Sequence, residues 1–131
     1  MEPQINADER RLNDMTEKVI GCAYAVANEL GCGSLEKVYQ NAMFVELTQV
    51  GLQAQKEAPI TIRYRGVIVG EYLADLIING EVLVELKAVK ELDEIHTAQC
   101  LNYLKATGIK VCLLINFGKT KIQIGRFVNQ L

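Results

Sequence analysis

The sequence predicts a single α+β domain in which two helices precede a three-stranded antiparallel unit, followed by one more helix and two more strands. Three observations carry that expectation. The 131 residues suffice for one compact unit and are too few for two of ordinary size, so residues 1–131 are expected to form one domain. Apolar residues recur at helical spacing in the first third of the chain and change to strand-like alternation after residue 53. The turn signals Gly66 and Asn79-Gly80 fall between the alternating runs.

Over residues 13–30, Met15, Val19, Cys22, Ala23, Val26 and Leu30 recur at spacings of three and four, the signature of one helix face, and Gly31 supplies the stop. Ser34 is the expected cap of a second helix, whose Leu35, Val38, Ala42, Met43, Leu47 and Val50 run up to Gly51. Within residues 53–65, Pro59-Ile60-Thr61-Ile62-Arg63-Tyr64-Arg65 alternates, and residues 67–78 and 82–89 are rich in β-branched and aliphatic types. These are expected to be consecutive antiparallel strands. A third helix fits residues 93–105 with Gly108 as its stop, and residues 111–117 and 121–128 return to strand.

Fourteen Lys and Arg against sixteen Asp and Glu give a formal net charge of −2, which excludes clamping of nucleic acid by bulk charge and leaves room for a local site. A chain that is 50% hydrophobic is not a disordered one. Met1-Glu2-Pro3-Gln4 has no basic region followed by an apolar run, and no stretch approaches the roughly 18 apolar residues of a membrane span. The expectation is a cytoplasmic protein without membrane association. Cys22, Cys32, Cys100 and Cys112 lack metal-type spacing, and only one histidine could support them, so reduced thiols mostly filling core are expected.

The chemistry is expected on the second hairpin. By alternation Ala74, Leu76 and Ile78 share one strand face, while Val82, Val84 and Leu86 form an apolar face on the next strand. Pairing those faces places Asp75, Glu85 and Lys87 together on the other side. A plain two-residue turn at Asn79-Gly80 would instead put Asp75 opposite Val84 and flip the acids apart. The hydrophobic pattern therefore demands a three-residue loop or a bulge near Gly80. Asp75 and Glu85 then become cross-strand neighbours with Cβ atoms roughly 5 to 8 Å apart. Two carboxylates this close repel, and a divalent cation with oxygen ligands is a usual way to stabilise them.

Asp75 followed by Glu85-Leu86-Lys87 resembles the D…(D/E)-x-K signature of the PD-(D/E)XK nuclease-like superfamily, with Ala74 where the nominal motif has proline. Within it the chain is similar to the GxxExxY family: Gly33-Ser34-Leu35-Glu36-Lys37-Val38-Tyr39 fits the heptapeptide, and Gln99-Cys100-Leu101-Asn102-Tyr103 fits a Q-x-x-x-Y helix. The resemblance runs from about residue 13 to 128. It implies a restriction-endonuclease-like αβββαβ core with an extra N-terminal helix and a C-terminal strand. It further implies that Asp75, Glu85 and the Leu86 carbonyl bind magnesium (or manganese), with Glu36 completing the acidic site. Lys87 would orient or deprotonate water, and Gln99 and Tyr103 would line the site. The implied activity is metal-dependent hydrolysis of nucleic-acid phosphodiester bonds.

Other readings of the same residues stay open. Glu36 could simply favour the helix N-terminus, although Tyr39, Met43 and Leu47 place it at the head of an apolar stripe. Asp75, Glu85 and Lys87 could be solvated strand charges. On the third helix His96, Gln99 and Tyr103 form a polar arc beside Ile95, Ala98, Leu101 and Leu104, and His96 is expected to be an ordinary surface or supporting residue. Lys105, Lys110, Lys119, Lys121 and Arg126 could contact a phosphate backbone or form a solvated face. The rival functions are a noncatalytic nucleic-acid-binding or regulatory protein that keeps the nuclease fold, and a purely structural interaction module. Small size and the need to engage two strands suggest a homodimer, which no motif specifies.

Overall fold

In the computed structural model, which describes residues 6–129, the first helix, α1 (Ala7–Leu30), starts earlier than apolar spacing predicts. Asp8, Glu9, Arg10 and Arg11 carry no apolar periodicity, yet Asn6 caps them, its Oδ1 accepting from the Glu9 N–H at 2.8 Å. The reading of Met1-Glu2-Pro3-Gln4 lies outside the described residues. Leu12, Met15, Val19, Cys22, Ala23 and Val26 are buried along the expected stripe, and Gly31, at φ 67°, ends the helix.

The second helix, α2 (Glu36–Gln49), is not capped by Ser34 as predicted. Leu35 occupies the cap position without a side-chain bond. The Ser34 N–H instead donates to Tyr39 Oη, which donates in turn to the Gly31 carbonyl at 2.7 Å. One phenol thus fastens the whole inter-helix loop, and its ring stacks on Phe117 at 4.5 Å.

The remaining elements are β1 (Ala54–Tyr64), β2 (Val67–Ile78), β3 (Val82–Lys87), α3 (Glu94–Thr107), β4 (Val111–Asn116) and β5 (Gln123–Val128), in the predicted order. They form one five-stranded sheet, β1-β2-β3-β4-β5, antiparallel except for the parallel pair β3–β4 that α3 connects. The helices α1 and α2 cover one face of the sheet and α3 covers the other. Enclosed on both faces, β3 buries every residue from Val82 to Leu86. Among the described residues no helix is long and apolar enough to cross a membrane.

Alternation fails at one place. Leu76 and Ile78 face α1 and α2, but Ala74 belongs to the cluster under α3, so the three do not share a face as expected. The apolar arc assigned to α3 is also displaced: Ile95 and Leu101 are 70% and 45% exposed, while Cys100, Tyr103 and Leu104 are buried. Tyr103 turns inward because it packs on Tyr72 of β2 at a centroid distance of 5.6 Å.

Candidate functional site

The β2–β3 turn has the extra residue that the hydrophobic pattern requires. Asn79 and Gly80 both take positive φ and the Glu81 N–H bonds the Ile78 carbonyl, as in a two-residue turn. Yet Ile78 pairs with Val82, leaving Glu81 outside the register. Continuing that register sets Asp75 beside Glu85, while Val82, Val84 and Leu86 face α1 and α2.

At that point the two strands part. The β2–β3 ladder ends at Leu76–Val84, and side chains take over the main-chain bonds beyond it. Asp75 Oδ2 accepts from the Leu86 N–H at 2.7 Å, the Asp75 N–H donates to Glu85 Oε1 at 3.3 Å, and Gln40 Nε2 donates to the Asp75 carbonyl at 2.9 Å. The carboxyls are close enough to hydrogen-bond each other. Glu85 is only 4% exposed, and burial together with the Asp75 charge pushes its carboxyl up to about 8. Burial also raises Asp75, against the pull of the Leu86 N–H and the Lys87 charge. Near neutrality, therefore, the pair tends to retain a proton.

Tyr103 completes the α3 side. Its hydroxyl accepts from Gln99 Nε2 at 2.8 Å, and burial together with the Glu85 charge pushes the phenol up to about 12, so it keeps its proton. Cys100 and Cys112 are free thiols in the cluster under α3, within hydrogen-bond reach of each other and near enough to feel Lys87 and Glu85 respectively. Behind Lys87, Asn116 acts as a buried hub. Its Oδ1 accepts from the Val89 and Gly118 N–H groups, and its Nδ2 donates to the Val89 carbonyl and Gln123 Oε1. The Phe117 N–H bonds the Lys87 carbonyl, fixing the end of β3.

The sequence matches the PD-(D/E)XK nuclease superfamily over residues 13–127. The chain belongs to that superfamily. Two solved structures share its fold. SSO0001 is 20% identical with a TM-score of 0.54, covering 93% of this chain and 61% of its own. An alkaline exonuclease from Laribacter hongkongensis is 12% identical with a TM-score of 0.53, covering 97% and 73%. The chain thus spans about three fifths of the length of SSO0001. Comparison with curated proteins finds no match.

Not every expected site residue touches the pair. Glu36 is exposed in the first turn of α2, and the α2 side chain that reaches Asp75 is Gln40, one turn later. Gln40 is 4% exposed and lies among Tyr39, Met43 and Leu47, so a polar residue inside the helical stripe was the available signal. Tyr72 and Glu57 also surround the site and had no motif to mark them. His96 caps α3, its Nδ1 accepting from the Asp93 N–H. The late basic residues do not form one patch: Lys119 pairs with Glu91, Arg126 bonds Asn13 of α1, and Lys105 lies beside a groove on the opposite face. Three cysteines are buried as expected, and Cys32 is exposed.

Proposed function

We propose that this chain is a magnesium-dependent nuclease that hydrolyses nucleic-acid phosphodiester bonds, with manganese able to substitute. The observation that carries the reading is the buried Asp75–Glu85 pair at the sheet fork, retaining a proton that a divalent cation would displace. Two carboxylates suit magnesium, which keeps several waters and takes phosphate oxygens for the rest of its shell. Asp75, Glu85 and the Leu86 carbonyl would hold the cation, with Gln40 steadying the Asp75 main chain from α2. A cation bound there supplies Lewis-acid stabilisation of charge growing on the phosphate. Lys87, half-buried two residues after Glu85, would orient water and offset that charge. Tyr103, held by Gln99, would donate to a phosphate oxygen.

A groove of about 1120 Å³ between β1, β2 and α3 supports a nucleic-acid substrate. Arg63, Tyr72, Gln99, Asn102, Tyr103 and Lys105 line it, and among the described residues no acidic one does, despite the net negative charge of the chain. Cations for a backbone beside an aromatic ring for a base are the elements of single-strand binding.

Calorimetric titration with Mn²⁺, paired with cleavage of labelled single-stranded, duplex and structured DNA and RNA, tests the proposal. The parent should bind the ion and cleave only with it, and Asp75→Ala should do neither. Absence of Mn²⁺ binding would overturn the reading. Nucleic-acid binding without cleavage in either metal would favour the noncatalytic alternative.

A further inference from the structure

Glu57 stands in the middle of β1 with φ 54°, a left-handed conformation that L-residues seldom adopt inside a strand. Its place in the register is opposite Asp75, since Lys56 pairs with Leu76 and Ala58 with Ala74 on either side. Both strands change face at this one pair. On β1, Lys56 turns to α2, its ammonium over the Phe44 ring and 3.3 Å from Asn41 Oδ1, whereas Ala58 and Ile60 pack under α3. On β2, Leu76 and Ile78 face α1 and α2, whereas Tyr72, the partner of Ile60, packs on Tyr103 of α3. A regular ladder would keep all of these even-numbered residues on one side.

The rotation coincides with the unusual bonding of Asp75. In regular antiparallel pairing its side chain would stand perpendicular to the sheet. Here the carboxylate instead reaches across to the main chain of β3 at Leu86, and the N–H and C=O of Asp75 bond side chains of Glu85 and Gln40. We propose that the left-handed backbone of Glu57 aims the Asp75 carboxylate at β3, making Glu57 a positioning residue of the acidic site through its main chain rather than its carboxylate. The carboxylate is engaged elsewhere, in an exposed ion pair with Lys37 of α2. Its charge also opposes ionisation of Asp75, so it does not help the pair accept a cation.

The inference rests on the metal-site reading only for its metal readout; the Leu86 amide decides it without metal. Hydrogen exchange of that amide, expressed relative to core amides of β4, reports whether Asp75 still reaches β3. Glu57→Val, whose β-branch resists positive φ more than the unbranched glutamate side chain does, should lower this protection about tenfold and weaken Mn²⁺ binding by a similar factor. Glu57→Gly adopts the conformation freely and Glu57→Gln removes only the charge, so both should stay within about threefold of the parent. Glu57→Thr, also β-branched but smaller and polar, supplies the same comparison where Glu57→Val does not fold. Parent-like amide protection in Glu57→Val, or in Glu57→Thr where that variant stands in, would overturn the proposal. So would equal losses in Glu57→Gln, which would make the carboxylate the functional part.

Discussion

Glu85 holds its proton more tightly in the folded protein than in the unfolded chain, because burial and the neighbouring Asp75 both disfavour its charge. Between the ordinary value of 4.5 and about 8, the folded state binds more protons, so metal-free stability falls as pH rises through that window. Chemical denaturation at stepped pH without metal should show this decline, and Glu85→Gln, which cannot ionise, should flatten it. Mn²⁺ affinity should rise over the same range, because the cation must displace the proton. Asp75 and Lys87 should separate ligand from catalyst. Asp75→Ala should abolish Mn²⁺ binding and lower metal-free stability by about 1–3 kcal/mol, because it leaves the buried Leu86 N–H without its partner while the repulsion it removes is already relieved by the retained proton. Lys87→Ala should retain Mn²⁺ binding and lose at least about 100-fold in cleavage rate, in line with loss of a positioned acid–base group. Calorimetry and single-turnover cleavage on the two variants distinguish these outcomes.

The segment that leaves β3 toward α3 is held at Val89 by contacts that tolerate no added volume. A Cβ on Gly118 would lie 2.1 Å from the Val89 carbonyl oxygen, a backbone atom that a rotamer change cannot remove. Gly118→Ala should therefore destabilise the protein by roughly 1–3 kcal/mol, measured by denaturant melting. Because Asn116 bonds both Val89 and Gly118, that strain falls on the same segment that follows Lys87, so cleavage should decline in samples that remain folded. Tyr39 is the equivalent anchor on the other face. Tyr39→Phe keeps the ring on Phe117 but leaves the Gly31 carbonyl and Ser34 N–H without their partner, at a cost of about 1–3 kcal/mol.

Across the molecule the acidic fork and the acid-free groove are adjoining regions of opposite character, joined at Tyr103. If a single strand lies in the groove, Arg63 and Lys105 each neutralise one phosphate. The Arg63→Ala, Lys105→Ala double variant should then make the slope of log affinity against log salt shallower by roughly 1.4, at about 0.7 per contact. Fluorescence anisotropy with a labelled oligonucleotide in EDTA measures the slope, and an unchanged slope would move the strand elsewhere. Mn²⁺ affinity should not change, because neither cation belongs to the Asp75–Glu85 pair.

Element order, both hairpin turns and the opposition of Asp75 to Glu85 were legible in the sequence. They depend on local information: apolar period sets helix or strand, glycine and asparagine accept positive φ, and buried Val82, Val84 and Leu86 admit only one register. The extra loop residue, Glu81, followed from conflict between that register and the simplest turn. Other features depend on which surfaces meet. Gln40 rather than Glu36 reaches Asp75 because α2 lies across β1 at that turn of the helix. The buried arc of α3 is set by Tyr72 and Cys112, far from it in sequence. The late basic residues face different directions because β5 runs back along β4 toward α1. The face change at Glu57 and Asp75 has no signature in either strand alone, since each still reads as a plausible strand. It arises because a left-handed residue in one strand and a side-chain-bonded acid in its partner reorient together, and only the paired sheet brings those two residues opposite each other.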